Sequence, residues 1–243
     1  MKVTNFELDN KSYKIPVKEF EPESEAELAV IGVHGFAGDK ESSVLKRLGE
    51  ALCERSGALV CFDFPAHGTS SADDSMLRVE NCKNDLMTVV DYVKSKYKNA
   101  KYAVFATSFG GYITLQCSDM LDDFKLLLRA PAVTMADAFI NKIIPVSLDE
   151  FREKRQALCG FERLMYVPYD FYDDLATRAV PTPKNETMII HGTLDDLIEY
   201  DAVKKFAESA ENIKLISVEG ADHRFKRKGD LDAIIDNAIL WLF

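Results

Sequence analysis

The stretch "YAVFATSFGG", Tyr102 to Gly111, decides the fold: an apolar run delivers one serine, Ser108, fenced by alanine and glycine. Tyr, Ala, Val and Phe in succession predict a buried strand, and the residues that follow predict an abrupt turn into a helix. A serine at such a corner is forced into a strained backbone conformation, and bulk two residues before or after it collides across the turn. Ala106 and Gly110 avoid that collision, which gives a small-x-Ser-x-Gly pattern.

Strand and helix signals alternate on both sides of this segment. "KVTNFEL" and "YKIPVKEF" flank an Asp-Asn-Lys turn and read as an antiparallel pair. "LAVIGV", "ALVCFDF", "KYAVFA", "FKLLLRA", "TMIIHG" and "IKLISV" read as further strands. Helical spacing is expected near Lys40 to Arg55, Leu86 to Tyr97, from Phe109 onward, Ala202 to Ala210 and Ile234 to Phe243. Repeated units of this kind imply a mostly parallel sheet with helices on both faces. The stretch from Pro131 to about Pro183 reads as irregular.

The 243 residues suffice for one well-buried core, so residues 1–243 are read as a single α/β domain. A net charge of −10 argues against a nucleic-acid or anionic-membrane partner, since either favours a broad basic face. No segment has the apolar length of a signal peptide or a membrane span, and a cytoplasmic location follows as the default. Cys53, Cys61, Cys82, Cys117 and Cys159 lack paired spacing and read as buried thiols, with no metal site implied.

In an open α/β sheet ligands collect at the carboxyl ends of the strands, and all four histidines, His34, His67, His191 and His223, fall in loops that follow strands. A serine hydroxyl is a poor nucleophile at neutral pH and needs a base, which in turn needs an acid to fix its tautomer. The α/β-hydrolase arrangement takes these in the chain order Ser, Asp or Glu, His. Ser108, Asp195 in "HGTLDDLI" and His223 in "VEGADHRF" offer that order. They are the expected catalytic residues: nucleophile, orienting acid, and general base then acid.

From "HGFAGDK" through "FDFPAHGTS", "ATSFGG" and "HGTLDD" to "GADHRF", the chain resembles an α/β-hydrolase of the serine-hydrolase type. Within that superfamily it is similar to the small intracellular carboxylesterases, including cinnamoyl or feruloyl esterase-like members. Ala106 departs from the glycine usual in the nucleophile elbow, and alanine is the least intrusive replacement. The resemblance puts the acid at Asp195, with Asp196 as its competitor and Asp222 as a loop residue. It implies an oxyanion hole from the backbone N–H groups of Phe36 and Phe109. His34 and His67 are expected to brace their loops.

The resemblance also implies a lid between residues 131 and 183, where Phe139, Ile143, Ile144, Phe151, Phe161, Tyr166, Tyr169, Phe171 and Tyr172 lie. Read functionally, Phe36, Phe109, Tyr166 and Tyr169 are candidates for substrate binding; read structurally, they pack a core. The basic run "HRFKRKGD" is either an attractor of anionic substrate or a solvated loop. The expected reaction is hydrolysis of a small carboxylic ester through an acyl-enzyme, without a cofactor. A peptidase or acyl-aminoacyl hydrolase, a thioesterase and a non-catalytic binding module on the same fold remain as alternatives. A sheet edge or the lid offers a surface for a homodimer.

Overall fold

Runs with no polar side chain to offer to water form the middle of the sheet. In a computed structural model of the chain, which describes residues 1–160 and 164–243, every residue of β3 (Leu28–Val33) and β4 (Gly57–Phe62) is buried. Beside them lie β5 (Lys101–Thr107), β6 (Phe124–Arg129) and β9 (Thr187–Gly192), with β10 (Ile213–Val218) at one edge. The hairpin of β1 (Lys2–Asn10) and β2 (Tyr13–Glu21) closes the other edge, so the eight strands run in the order β1-β2-β4-β3-β5-β6-β9-β10. β1 with β2 and β2 with β4 are antiparallel; the other pairings are parallel.

Alternate strand residues feed two cores, as a period of two requires. Val30, Leu59 and Phe105 pack with Leu45, Leu48 and Leu52 of α1 (Ser43–Cys53) and Ile234, Ala238 and Leu242 of α8 (Asp230–Leu242). Ile31, Val60 and Val104 pack on the other face with α2 (Val79–Lys96) and α3 (Phe109–Gln116), and α7 (Tyr200–Ala207) adds Val203 to the same cluster. Helix α2 begins well before Leu86 because Val79 and Cys82 continue its buried stripe through an otherwise polar first half. The five cysteines are free thiols; all but Cys53 are buried.

The edge hairpin is tied to α2 by polar contacts, of which the most buried is at Asp85. Asp85 Oδ1 accepts hydrogen bonds from the Tyr13 hydroxyl at 2.8 Å and from the Asn10 amide. Burial pushes the Asp85 carboxyl up to about 7, against the opposing pull of those two donors.

The described residues between 131 and 183 are not irregular throughout. They form α4 (Met135–Ala138), α5 (Leu148–Lys154), the antiparallel pair β7 (Gln156–Gly160) and β8 (Leu164–Pro168), and α6 (Tyr169–Ala176). Each element is too short for its periodicity to stand out. Phe139, Phe151, Phe171 and Tyr172 pack their rings together inside this segment. Phe161 lies outside the described residues.

Candidate active site

β5 ends at Thr107 and α3 starts at Phe109, leaving Ser108 alone at the corner with φ 50° and ψ −114°. That left-handed value is strained for a residue with a side chain and persists only where surrounding bonds dictate it. Here the Ser108 N–H donates to the Arg129 carbonyl at 3.0 Å, and the Ser108 carbonyl accepts from the N–H groups of Tyr112 and Ala132, each at 3.1 Å. A Cβ at Gly110 would lie 2.4 Å from the His34 carbonyl oxygen and 2.8 Å from that of Val33. Only glycine lets α3 seat against the end of β3. Ala106, fully buried in β5 opposite Val33 and Leu128, is accommodated.

Two loops at this end of the sheet, those after β9 and β10, converge on the serine. His223 Nε2 is 3.0 Å from Ser108 Oγ, and His223 Nδ1 is 2.7 Å from Asp195 Oδ2. The other Asp195 oxygen accepts the N–H groups of Leu197 at 2.9 Å and Ile198 at 2.7 Å. Burial alone pushes the Asp195 carboxyl up, but the hydrogen bonds from His223 and the Ile198 N–H outweigh it and hold the group below the usual carboxylate range. An ionised Asp195 makes Nδ1 the protonated nitrogen and leaves Nε2 as an acceptor toward Ser108, the tautomer that can take a proton from a hydroxyl.

The remaining polar residues divide into those that hold the loops and those that point away. His34 donates from Nδ1 to the Gly35 carbonyl at 2.8 Å and accepts the Phe64 N–H at Nε2 at 3.1 Å. His67 donates from Nδ1 to the Pro65 carbonyl at 2.8 Å. Lys40 Nζ reaches Asp63 Oδ2 at 2.7 Å and Thr69 Oγ1 at 2.8 Å, pinning the loop after β3 to the loop after β4. His191 donates from Nε2 to the Ile198 carbonyl at 3.0 Å, and burial pushes its imidazole down toward the neutral form. Asp196 is exposed, and Asp222 caps its own loop by accepting the Lys226 N–H at 3.2 Å.

The N–H groups of Phe36 and Phe109 find no acceptor among the described residues. The Phe109 N–H opens helix α3, where the first amide groups lack intrahelical partners and the positive end of the helix dipole lies. Ser108 and His223 border a cavity of about 270 Å³ with an apolar lining of Phe36, Val44, Ile143 and Leu197 and a polar side carrying Arg129 and Arg224. Neither Asp nor Glu lines it among the described residues.

Of the four aromatic candidates for substrate contact, Phe36 lines this cavity. The Phe109 ring is fully buried against Phe64 and Phe171. Tyr166 points outward from β8, half exposed, because Met165 and Val167 take the inward positions of the alternation. Tyr169 is packed against Phe151 with the Arg155 guanidinium over its ring. Ile143, one of the residues named for the expected lid, lines the cavity, as do Arg129 and Leu197, which had not stood out in the sequence. The signal that could have found Arg129 was the one charge at the end of "FKLLLR", where strand ends face ligands.

Residues 24–157, more than half of the chain, match the serine aminopeptidase S33 family model. The chain belongs to the serine aminopeptidase S33 family. It has the α/β-hydrolase fold and is a serine-hydrolase-type protein. A search of curated proteins returned no match. Among solved structures it is similar to Est1E from Butyrivibrio proteoclasticus with ferulic acid bound, at TM-score 0.84 and 20% identity over 97% of this chain and 98% of that one. It is similar to an α/β serine hydrolase without lid from Xanthomonas campestris, at TM-score 0.68 and 20% identity over 99% and 95% of the two chains. A Pyrococcus furiosus esterase matches at TM-score 0.75 and 16% identity over 99% and 90%. Among the described residues no helix of this S33-family chain is long and apolar enough to cross a membrane.

Proposed function

We propose that this S33-family chain cleaves small carboxylic esters by acyl transfer through Ser108, His223 and Asp195. The observation that carries the reading is the continuous hydrogen-bond line from Ser108 Oγ through His223 to Asp195, at 3.0 and 2.7 Å, beside an accessible cavity. In this mechanism Ser108 Oγ attacks the ester carbonyl while His223 Nε2 takes its proton, and Asp195 stabilises the imidazolium. The N–H groups of Phe36 and Phe109 receive the oxyanion, an effect worth about 3 kcal/mol per donor where removal has been measured. The tetrahedral intermediate expels the alcohol, which receives the proton from His223 Nε2. Water then attacks the acyl-enzyme by the same route in reverse, releasing the acid and restoring Ser108.

Residues 131–183 serve as a cap, with Ile143 contributing its side chain to the cavity. The Est1E complex, with ferulic acid bound, supports an aromatic acid as one candidate acyl part.

A second reading, aminopeptidase action, is suggested by the family description. Recognition of a free α-ammonium group calls for a carboxylate beside the scissile bond, yet the charged groups lining this cavity among the described residues are cationic. The lining favours the esterase reading. The test is a matched panel of short acyl, long acyl and hydroxycinnamoyl esters beside aminoacyl amides, run on the native chain and on Ser108→Ala. Ester turnover that vanishes in Ser108→Ala supports the reading; faster turnover of aminoacyl amides than of any ester overturns it.

A further inference from the structure

We propose that Arg129 is the counter-charge for a carboxylate on the leaving-group part of the ester, so that the preferred substrate carries an anionic alcohol. This rests on the esterase reading and narrows it.

Arg129 ends β6 and lines the cavity beside Ser108 and His223. Arg129 is half-buried, and its guanidinium has no carboxylate at ion-pair distance among the described residues. One nitrogen, Nη2, donates to the Arg224 carbonyl at 2.8 Å, the guanidinium carbon lies 4.8 Å over the Phe225 ring, and Nε is buried without a partner among the described residues. Asp195 and Asp222 are the carboxylates that act on it from a distance. Asp195 is already committed to His223 and two backbone N–H groups, so neither neutralises Arg129 by contact. Burial pushes the guanidinium down to about 10, against the opposing pull of Asp195 and Asp222. Buried charges are normally paired, because an unpaired one forfeits hydration with no return. An unpaired cation lining a reaction cavity in a chain of net charge −10 therefore points to a partner that arrives with the substrate.

The side of the serine on which it lies sets the part of the substrate it meets. The oxyanion donors, Phe36 and Phe109, belong to the loop after β3 and the start of α3. Arg129 instead grips the carbonyl of the residue that follows His223. The departing alcohol must receive its proton from His223 Nε2, so it leaves past His223, toward the guanidinium. A carboxylate there gains charge-assisted hydrogen bonds from the planar donor fork.

The experiment compares 3-acetoxybenzoate with 3-acetoxybenzamide, which differ in leaving-group charge and little in shape, on the native chain, Arg129→Gln and Arg129→Lys. The native chain is expected to favour the anionic ester by about tenfold or more in kcat/KM, the scale of a hydrogen bond to a charged group. Arg129→Gln brings that ratio to about one, Arg129→Lys retains part of it, and added salt reduces it in the native chain. A residue that only tethers the Arg224 carbonyl would slow both esters by the same factor and leave the ratio unchanged, which overturns the proposal. A native ratio near one also overturns it while the esterase reading stands, since both esters are then turned over. If neither ester reacts, protection of Ser108 from a fluorophosphonate probe by benzoate, absent with benzamide and lost in Arg129→Gln, supports it; equal or no protection sinks it. Failure of the probe to label a folded native chain overturns both readings together.

Discussion

Replacing Asp195 with Asn tests the orienting role at a single atom. Asp195 Oδ1 accepts two N–H groups, from Leu197 and Ile198, while Oδ2 faces His223 Nδ1 at 2.7 Å. An asparagine must keep its carbonyl oxygen on the two backbone donors, because turning the amide would set its NH₂ against both of them. The NH₂ then faces His223 Nδ1, which can pair with it only as an acceptor. The proton moves to Nε2, the nitrogen 3.0 Å from Ser108 Oγ, and the base loses the lone pair it needs. The same tautomer trap in serine proteases costs about 10⁴ in kcat, equivalent to roughly 5.5 kcal/mol of transition-state stabilisation. Steady-state ester hydrolysis of Asp195→Asn should therefore fall by about four orders of magnitude with an unchanged circular dichroism spectrum. Asp196→Asn, on an exposed neighbour, should stay within about twofold, as surface substitutions usually do. A loss of less than about tenfold in Asp195→Asn, or a larger loss in Asp196→Asn, would rule out Asp195 as the orienting acid, since an intact base cannot coexist with the wrong tautomer.

Gly110→Ala forces a Cβ to within 2.4 Å of the His34 carbonyl oxygen, so the corner must open. We expect a destabilisation of about 3 kcal/mol, read as a Tm fall of roughly 6 to 12 °C in a thermal scan, with slower labelling of Ser108. Lys40→Met leaves Asp63 buried without its ammonium partner at 2.7 Å and should cost about 3–5 kcal/mol in urea unfolding. Asp85 supplies a pH dependence. Its folded carboxyl titrates at about 7 against an ordinary 3.8, so its contribution to stability is present in acid and is lost as pH rises through that window. Unfolding free energies of the native chain from urea titration should fall between pH 5 and 7.5 by on the order of 2 kcal/mol more than those of Asp85→Asn; parallel curves would contradict that assignment.

How much of this was legible in the sequence follows from which signals are local. The strands of the parallel sheet are continuous apolar runs bounded by turn residues, so "LAVIGV" and "TMIIHG" announce themselves without a partner. Ser108 was legible because the corner restricts its neighbours to small residues, and the 2.4 Å clearance at Gly110 is the restriction in physical form. Asp195 and His223 were placed by strand-end position and chain order, which is why their side chains meet. The segment from 131 to 183 was less legible. A short hairpin alternates inward and outward residues, and nothing local says whether Tyr166 or its neighbours Met165 and Val167 face the core. Arg129 was hidden for a different reason: one charge ending an apolar run looks like an ordinary strand terminus until the histidine loop is folded over it.

An activated nucleophile at Ser108 underlies every step proposed for this chain. The most direct measurement is mass spectrometry of the native chain and of Ser108→Ala after exposure to a fluorophosphonate probe. One phosphonylated residue, Ser108, is expected in the native chain, and no label in Ser108→Ala. A folded native chain that stays unlabelled, or a label that persists on Ser108→Ala, would contradict it.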